Sequence, residues 1–197
     1  MTHIIGKTLI ALQDLGLNLD RKAITDVRNS IEMSRVVTLT GVGKSFAVAQ
    51  VGATLLQSVG YHATAVHSTD MLHGGLGTLS RIQWGTVILI SHSGITREVL
   101  GVLDSIDEHA RAMIYTVAVT GNHQSELAER CKIALPYKID EDGSKHGTIP
   151  TVSVAVQLAI INSIVCEAAD QLTTETLASF HPGGTLHTKY EEKIASE

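Results

Sequence analysis

Hydrophobic and polar positions follow two periods along the chain. Short runs rich in β-branched and apolar residues at 36–40, 63–67, 86–90, 114–119 and 132–135 read as strands. The run at 86–90, TVILI, lacks polar alternation, as expected of a parallel strand covered on both faces. Helical spacing fills the intervals. Ile4, Ile5, Leu9, Ile10, Leu12 and Leu15 lie near one face of a first helix, which breaks at 16–18. A second helix runs over 20–33, with Asp20 as N-cap and Ile24, Val27, Ile31 and Met33 as its apolar positions. Further helices are expected at 45–59 (ended by Gly60), at 98–109, briefly after Ser125, and over 151–170. The segment 68–77 is a loop or a short helix carrying His73. Segments 137–148 and 179–187 read as irregular, and a charged tail closes the chain.

Strand and helix alternate through the middle of the chain. This predicts an α/β fold, a doubly wound and mainly parallel five-stranded sheet flanked by helices. The expected organisation is one domain over 1–197, with a helical lead-in at 1–34, an α/β core at 35–187 and a tail at 188–197. Ligands of such sheets bind at the carboxyl ends of the strands. Two strands here end in hydroxyl-bearing turns, GVGKS at 41–45 and SHSGIT at 91–96, which should open on the same edge.

Composition narrows the partners. A chain of 197 residues with 44% hydrophobic and 18% charged residues can bury a core. A net charge of -5 without a basic run argues against nucleic acid. Cys131 and Cys166 lie far apart and form no CxxC pair, so neither a disulfide framework nor a zinc ribbon is expected. Both read as buried small side chains in a reduced, cytoplasmic setting. The ten histidines form no HExxH or C2H2 pattern, so no metal is expected. The N-terminus lacks the pattern of a signal peptide, and no apolar run approaches the roughly 20 residues of a membrane helix.

GVGKS aims backbone N–H groups, the Lys44 cation and the Ser45 hydroxyl at one point, which suits an anion such as phosphate. Its spacing excludes the nucleotide loops: a Walker A loop needs glycine at Thr38, and a dinucleotide fingerprint needs glycine at Phe46. The bland reading is a strand–helix turn built on a glycine pair. In SHSGIT, Ser91, Ser93 and Thr96 surround Gly94 where a helix begins. One hydroxyl satisfies an N-cap; three exceed that need and suit a phosphate cradle. A lysine at a helix start opposes the dipole, which an anion held by Lys44 would explain. Glu98, one turn into the helix, is either a dipole-complementing acid or a base beside a substrate. His73 and His181 neighbour glycines that allow close approach of a ligand, though a loop histidine is most often a surface residue. Glu141 and Asp142, with Lys145 and His146 in the same loop, are either a solvated turn or part of a site.

Four pieces carry a family resemblance: GVGKS at 41–45, HGGLG at 73–77, ISHSGITREVL at 90–100 and HPGGTL at 181–186, echoed by VTGNHQSELA at 119–128. Together they resemble the SIS (sugar isomerase) domain, and within it the bacterial D-arabinose-5-phosphate isomerase group. The resemblance covers about 34–187. It implies an aldose–ketose isomerase that interconverts D-ribulose 5-phosphate and D-arabinose 5-phosphate and feeds Kdo for lipopolysaccharide or capsule. It implies Ser45, Ser91, Ser93 and Thr96 as phosphate ligands, and Lys44, His73, Glu98 and His181 as active-site groups. Gly43, Gly74 and Gly94 would lie in loops beside the substrate. The family's usual form has two CBS domains after the SIS domain; this chain resembles a SIS-only form. The family loop before the last core helix reads like EACPLGLAPTSST and holds an important acid. Here it is EDGSKHGTIPTVSV, where Asp142, or Glu141 with a one-residue shift, takes that place.

The implied chemistry moves a proton between C2 and C1 through a cis-enediol, with a base, a donor for the carbonyl oxygen and no cofactor. A carboxylate from Glu98 or the 141–142 pair and an imidazole from His73 or His181 would shuttle the proton. Two other readings stand beside this one: a heptose or hexulose phosphate isomerase, and a non-catalytic sugar-phosphate sensor. The resemblance also implies a homotetramer with sites near subunit borders.

Overall fold

A computed structural model describes residues 4–80, 83–109, 113–143 and 146–196. Two helices lead in, α1 (Ile4–Asn18) and α2 (Arg21–Met33). The sheet strands and their crossovers follow: β1 (Val36–Gly41), α3 (Lys44–Ser58), β2 (Ala63–Ala65), α4 (Ser68–Leu72), β3 (Trp84–Ile90), α5 (Arg97–His109), β4 (Met113–Thr120), α6 (Glu126–Arg130) and β5 (Ile133–Pro136). A 3-10 turn at Gly75–Thr78 lies between α4 and β3. The chain closes with α7 (Val152–Ala169), α8 (Thr174–Ser179) and α9 (Gly184–Ile194).

All strand pairs are parallel and the order is β2-β1-β3-β4-β5. The chain winds one way from β1 to β2 and the other way from β1 through β3 outward. The winding reverses between β1 and β3, and ligands of open α/β sheets sit at the carboxyl ends flanking such a reversal. Gly41 pairs with Ile90 in register, so the two hydroxyl-bearing turns leave the sheet side by side.

Alternation along β3 explains its unbroken apolar run. Ile88 and Ile90 enter one core with Leu39, Ile31, Leu56 and Ile160, contributed by β1, α2, α3 and α7. Val87 and Leu89 enter a second core with Met71, Val102 and Leu103 from α4 and α5. Both faces are therefore buried, and every side chain of the strand gains from leaving water. Gly52 brings α3 onto this packing: a Cβ there would stand 2.7 Å from side-chain atoms of both Ile161 and Leu39. A methyl group would force the α3–α7 contact apart.

Four details differ from the sequence reading. Gly16 lies inside α1, and the break falls at Leu19 and Asp20, where Asp20 caps α2 by accepting from the Lys22 and Ala23 amides. The stretch after 179 is helical over Gly184–Ile194, not an irregular loop and tail. Cys166 is exposed, whereas Cys131 is buried. Cys166 follows exposed Asn162 by four residues, so both lie on the outward stripe of α7. Finally, α7 is long and apolar enough to cross a membrane by composition, and half of it is buried inside the protein.

Candidate functional site

The site is assembled from β1 and β3. Gly41 is fixed by close approach: a Cβ on it would stand 2.9 Å from the Ile90 carbonyl oxygen and 3.1 Å from the Ser45 carbonyl carbon. Gly43 adopts φ 59°, a conformation that L side chains rarely take, and it provides no side-chain cap for α3. The first amides of α3 are thus uncapped by any side chain, with Lys44 exposed and Ser45 half-buried beside them.

The SHSGIT turn is bound internally and from outside. Ser91 is buried; its Oγ lies 2.8 Å from Thr96 Oγ1 and accepts from the Gly94 amide at 3.1 Å. Ser93 Oγ accepts from the Ile95 amide at 3.3 Å. The β4–α6 connection supports the turn: Gly121 donates to the His92 carbonyl and Leu127 to the Gly94 carbonyl. Gly94 has φ 68° and lies against Ser125 and Thr120. The Ser91 and Thr96 hydroxyls therefore meet just before α5, Ser93 lies exposed in the same turn, and the in-register strand ends bring the turn carrying Ser45 to the same edge.

A chain of side-chain hydrogen bonds joins the two turns. Ser45 donates to Gln157 Oε1 at 3.2 Å, and Gln157 donates through Nε2 to Tyr137 Oη at 2.9 Å. Tyr137 Oη lies 2.9 Å from His92 Nδ1, and the two rings stack with centroids 5.7 Å apart. Gln157 and Tyr137 are buried, and burial pushes the Tyr137 phenol well above its usual range despite the Gln157 hydrogen bond. The sequence reading missed Tyr137, Gln157 and His92. A glutamine within the apolar run of α7 was the available signal, because a buried polar side chain needs a partner.

Glu98 is exposed in the first turn of α5. Lys44 and Glu98 have no hydrogen-bond or ion-pair partner among the described residues. The two acids of the 137–148 loop are engaged elsewhere. Glu141 pairs with Lys7 of α1. Asp142 is buried at the start of α7, where Oδ1 accepts from the Thr151 and Ser153 amides at 3.0 and 2.9 Å and Oδ2 from the Ser153 hydroxyl at 2.7 Å. Burial pushes the Asp142 carboxyl up. The Ser153 and Thr151 hydrogen bonds and the nearby His92 outweigh it, and the net shift is downward. Asp142 thus acts as a remote N-cap for α7, whose own Thr151 supplies no side-chain cap.

That shift makes a stability prediction. A carboxyl whose folded value is lowered stabilises the fold above its unfolded value, about 3.9 for aspartate, and the contribution is lost as pH falls through the lower folded value. Asp142→Ala should cost about 1–3 kcal/mol at neutral pH, since it orphans buried donors. Urea titrations of the two proteins should converge as pH drops below about 3.9. A gap that persisted in acid would mean that Asp142 acts through packing alone.

The remaining candidates lie outside the two turns. His73 is exposed at the C-cap of α4, beside Gly74 at φ 116°. Lys145 lies outside the described residues, and His146 is exposed. His181 follows α8; its Nδ1 is 2.8 Å from the Leu177 carbonyl and its ring packs on Tyr190. Its neighbour Phe180 covers Gly60, just past the C-terminal end of α3. Ser45 is at the other end of that 15-residue helix, about 20 Å away at 1.5 Å per residue. Within one chain, His181 therefore does not reach the 45/91–96 edge.

Comparison with known proteins agrees with this fold. The family model described as SIS domain matches residues 30–166. The arabinose 5-phosphate isomerase KpsF of Escherichia coli is 29% identical over 188 residues, covering 94% of this chain and 56% of that protein. The arabinose 5-phosphate isomerase KdsD of Pseudomonas aeruginosa PAO1 is 30% identical over 160 residues, covering 80% of this chain and 48% of that protein. The chain thus spans about half the length of these curated relatives. Among solved structures, E. coli CFT073 c3406 in complex with arabinose 5-phosphate superposes with a TM-score of 0.80 at 26% identity, covering 91% of this chain and 94% of that one. MJ1247 of Methanococcus jannaschii shares the fold, with a TM-score of 0.69 at 20% identity, covering 90% of this chain and 95% of that one.

Proposed function

Because this chain belongs to the SIS domain family, we propose that it is a sugar-phosphate isomerase that interconverts D-ribulose 5-phosphate and D-arabinose 5-phosphate. The observation that carries the reading is that the turn holding Ser45 and the turn holding Ser91, Ser93 and Thr96 leave neighbouring parallel strands at one sheet edge, before the starts of two helices, at the winding reversal. Relatives named arabinose 5-phosphate isomerase, and the c3406 complex with arabinose 5-phosphate, support the pentose phosphate.

In this reading the four hydroxyls and the amides of α3 and α5 hold the phosphate and fix the sugar chain. Lys44 steadies the developing oxyanion of the cis-enediol. Glu98 moves the proton between C2 and C1. Of the three candidate acids it is the one with no competing partner among the described residues, whereas Glu141 serves Lys7 and Asp142 serves α7. His73 is retained as a sugar-contacting group. His181 acts in the site of a second copy, since its distance from Ser45 bars it from its own. In this reading the assembly is a homotetramer with sites at subunit borders, supported by the exposed Ile5, Leu9 and Leu17 of α1. Light scattering should give four chains; a monomer at assay concentration would exclude the shared site.

The substrate test is a panel of D-ribulose 5-phosphate, a hexulose 6-phosphate and a heptulose 7-phosphate. Turnover of the pentose alone is expected, and turnover of another member alone would reassign the enzyme. The commitment of both loop acids favours one other reading, a non-catalytic sugar-phosphate sensor. Such a protein would bind the pentose phosphate and turn over no member of the panel.

A further inference from the structure

The chain of hydrogen bonds from Ser45 to His92 has a direction. Ser45 has one O–H, and it is donated to Gln157 Oε1. The Gln157 amide then presents N–H to Tyr137 Oη. Tyr137 has received a donor, so its single O–H points to His92 Nδ1; otherwise a buried hydroxyl proton would have no acceptor. In this polarity His92 carries its own proton on Nε2, on an exposed ring.

A phosphate oxygen accepts hydrogen bonds and offers none, so a phosphate held by Ser45 takes that residue's only O–H. The buried Gln157 carbonyl then loses its donor. An amide is nearly symmetric in shape, and a half-turn restores every bond. Nε2 donates to Ser45 Oγ, Oε1 accepts the Tyr137 O–H, and Tyr137 Oη accepts from Nδ1–H of His92. His92 releases the Nε2 proton to water and takes a proton from water at Nδ1, so the net proton count is unchanged. The phenol keeps its proton throughout, because burial pushes its pKa up and disfavours the phenolate.

We propose that Ser45, Gln157, Tyr137 and His92 form a polarity-reversing relay: phosphate at Ser45 converts His92 from an Nε2–H donor into a ring with a free Nε2 lone pair. Tyr137 and Gln157 are positioning residues in this device. His92 becomes a proton acceptor at the rim of the SHSGIT turn only when the phosphate is seated. The inference rests on the sugar-phosphate reading, through Ser45 as a phosphate ligand.

The test is nitrogen–proton correlation NMR of the His92 ring in the full chain at about pH 8, above the usual imidazole range. Spectra are taken without ligand, with inorganic phosphate and with D-arabinose 5-phosphate, and His92→Gln assigns the signal. Backbone amides of Gly94 and Ile95 report occupancy independently. The expected result is a proton on Nε2 without ligand and on Nδ1 at saturation. Tyr137→Phe should hold His92 in one tautomer at either extreme; Gln157→Met breaks the same chain one residue earlier should the first variant fail to fold. Amide shifts that saturate while the wild-type tautomer stays fixed would overturn the relay and leave the sugar-phosphate reading standing. A tautomer change that survives in a folded variant would also overturn the relay. No amide shift with either ligand would remove the sugar-phosphate reading and the relay together.

Discussion

Glu98→Gln should lower kcat by about 10²–10⁴-fold, the range for removal of a general base, without weakening sugar-phosphate binding. The side chain lies exposed in the first turn of α5, two residues after Thr96, next in sequence to the proposed phosphate cradle. A first-turn carboxylate also complements the helix dipole, and that role is worth only about 0.3–1 kcal/mol at an exposed position. The two roles therefore separate cleanly. A dipole role would show as a small loss of stability with kcat intact, and a base role as a collapse of kcat with the melting temperature little changed. Steady-state kinetics with isothermal titration of the same variant distinguishes them.

Gly94→Ala should be the most damaging small substitution in the 91–96 turn. The backbone at 94 has φ 68°, which costs a non-glycine residue of order 1–3 kcal/mol. Space is also absent: the added Cβ would stand 2.1 Å from Ser125 Oγ and 2.3 Å from Ser125 Cβ. Relief requires moving Ser125, which caps α6 through the Ala128 amide, or moving the turn itself. The second route breaks the hydrogen bond that the Gly94 amide donates to Ser91 Oγ and spreads the hydroxyl set. Sugar-phosphate affinity should fall roughly tenfold or more, equivalent to about 1.4 kcal/mol. Gly16→Ala is the control, since a Cβ there meets nothing within 4 Å and the site is helical. It should be neutral or stabilising by up to about 1 kcal/mol. Equal losses in the two variants would mean that the turn's geometry is not what matters.

Local periodicity carried most of the fold. The runs at 36–40 and 86–90 are β-branched and bounded by glycine or serine turns, so strand and turn could both be read from neighbouring residues. Glycine disfavours helix, which predicts a break at Gly16, yet the helix continues past it and Asp20 sets the boundary by capping the next one. Helix α9 was obscured by the glycines at 183 and 184 that begin it. The hydroxyls at 91, 93 and 96 were legible because they cluster within six residues of a single turn. The relay was not: Ser45, His92, Tyr137 and Gln157 come from four separated segments, and only the strand order brings them into one line. For the same reason, the roles of Asp142 and Glu141 depended on Ser153 and Lys7, which no local pattern connects to them.

Proton transfer on a bound sugar phosphate is the central claim, and solvent exchange measures it directly. D-Arabinose 5-phosphate incubated with the purified chain in heavy water should yield D-ribulose 5-phosphate carrying deuterium at C1, with deuterium returning to C2 of the aldose pool. Saturable binding of the sugar phosphate with no deuterium at either carbon would contradict it and leave a binding protein in place of an isomerase.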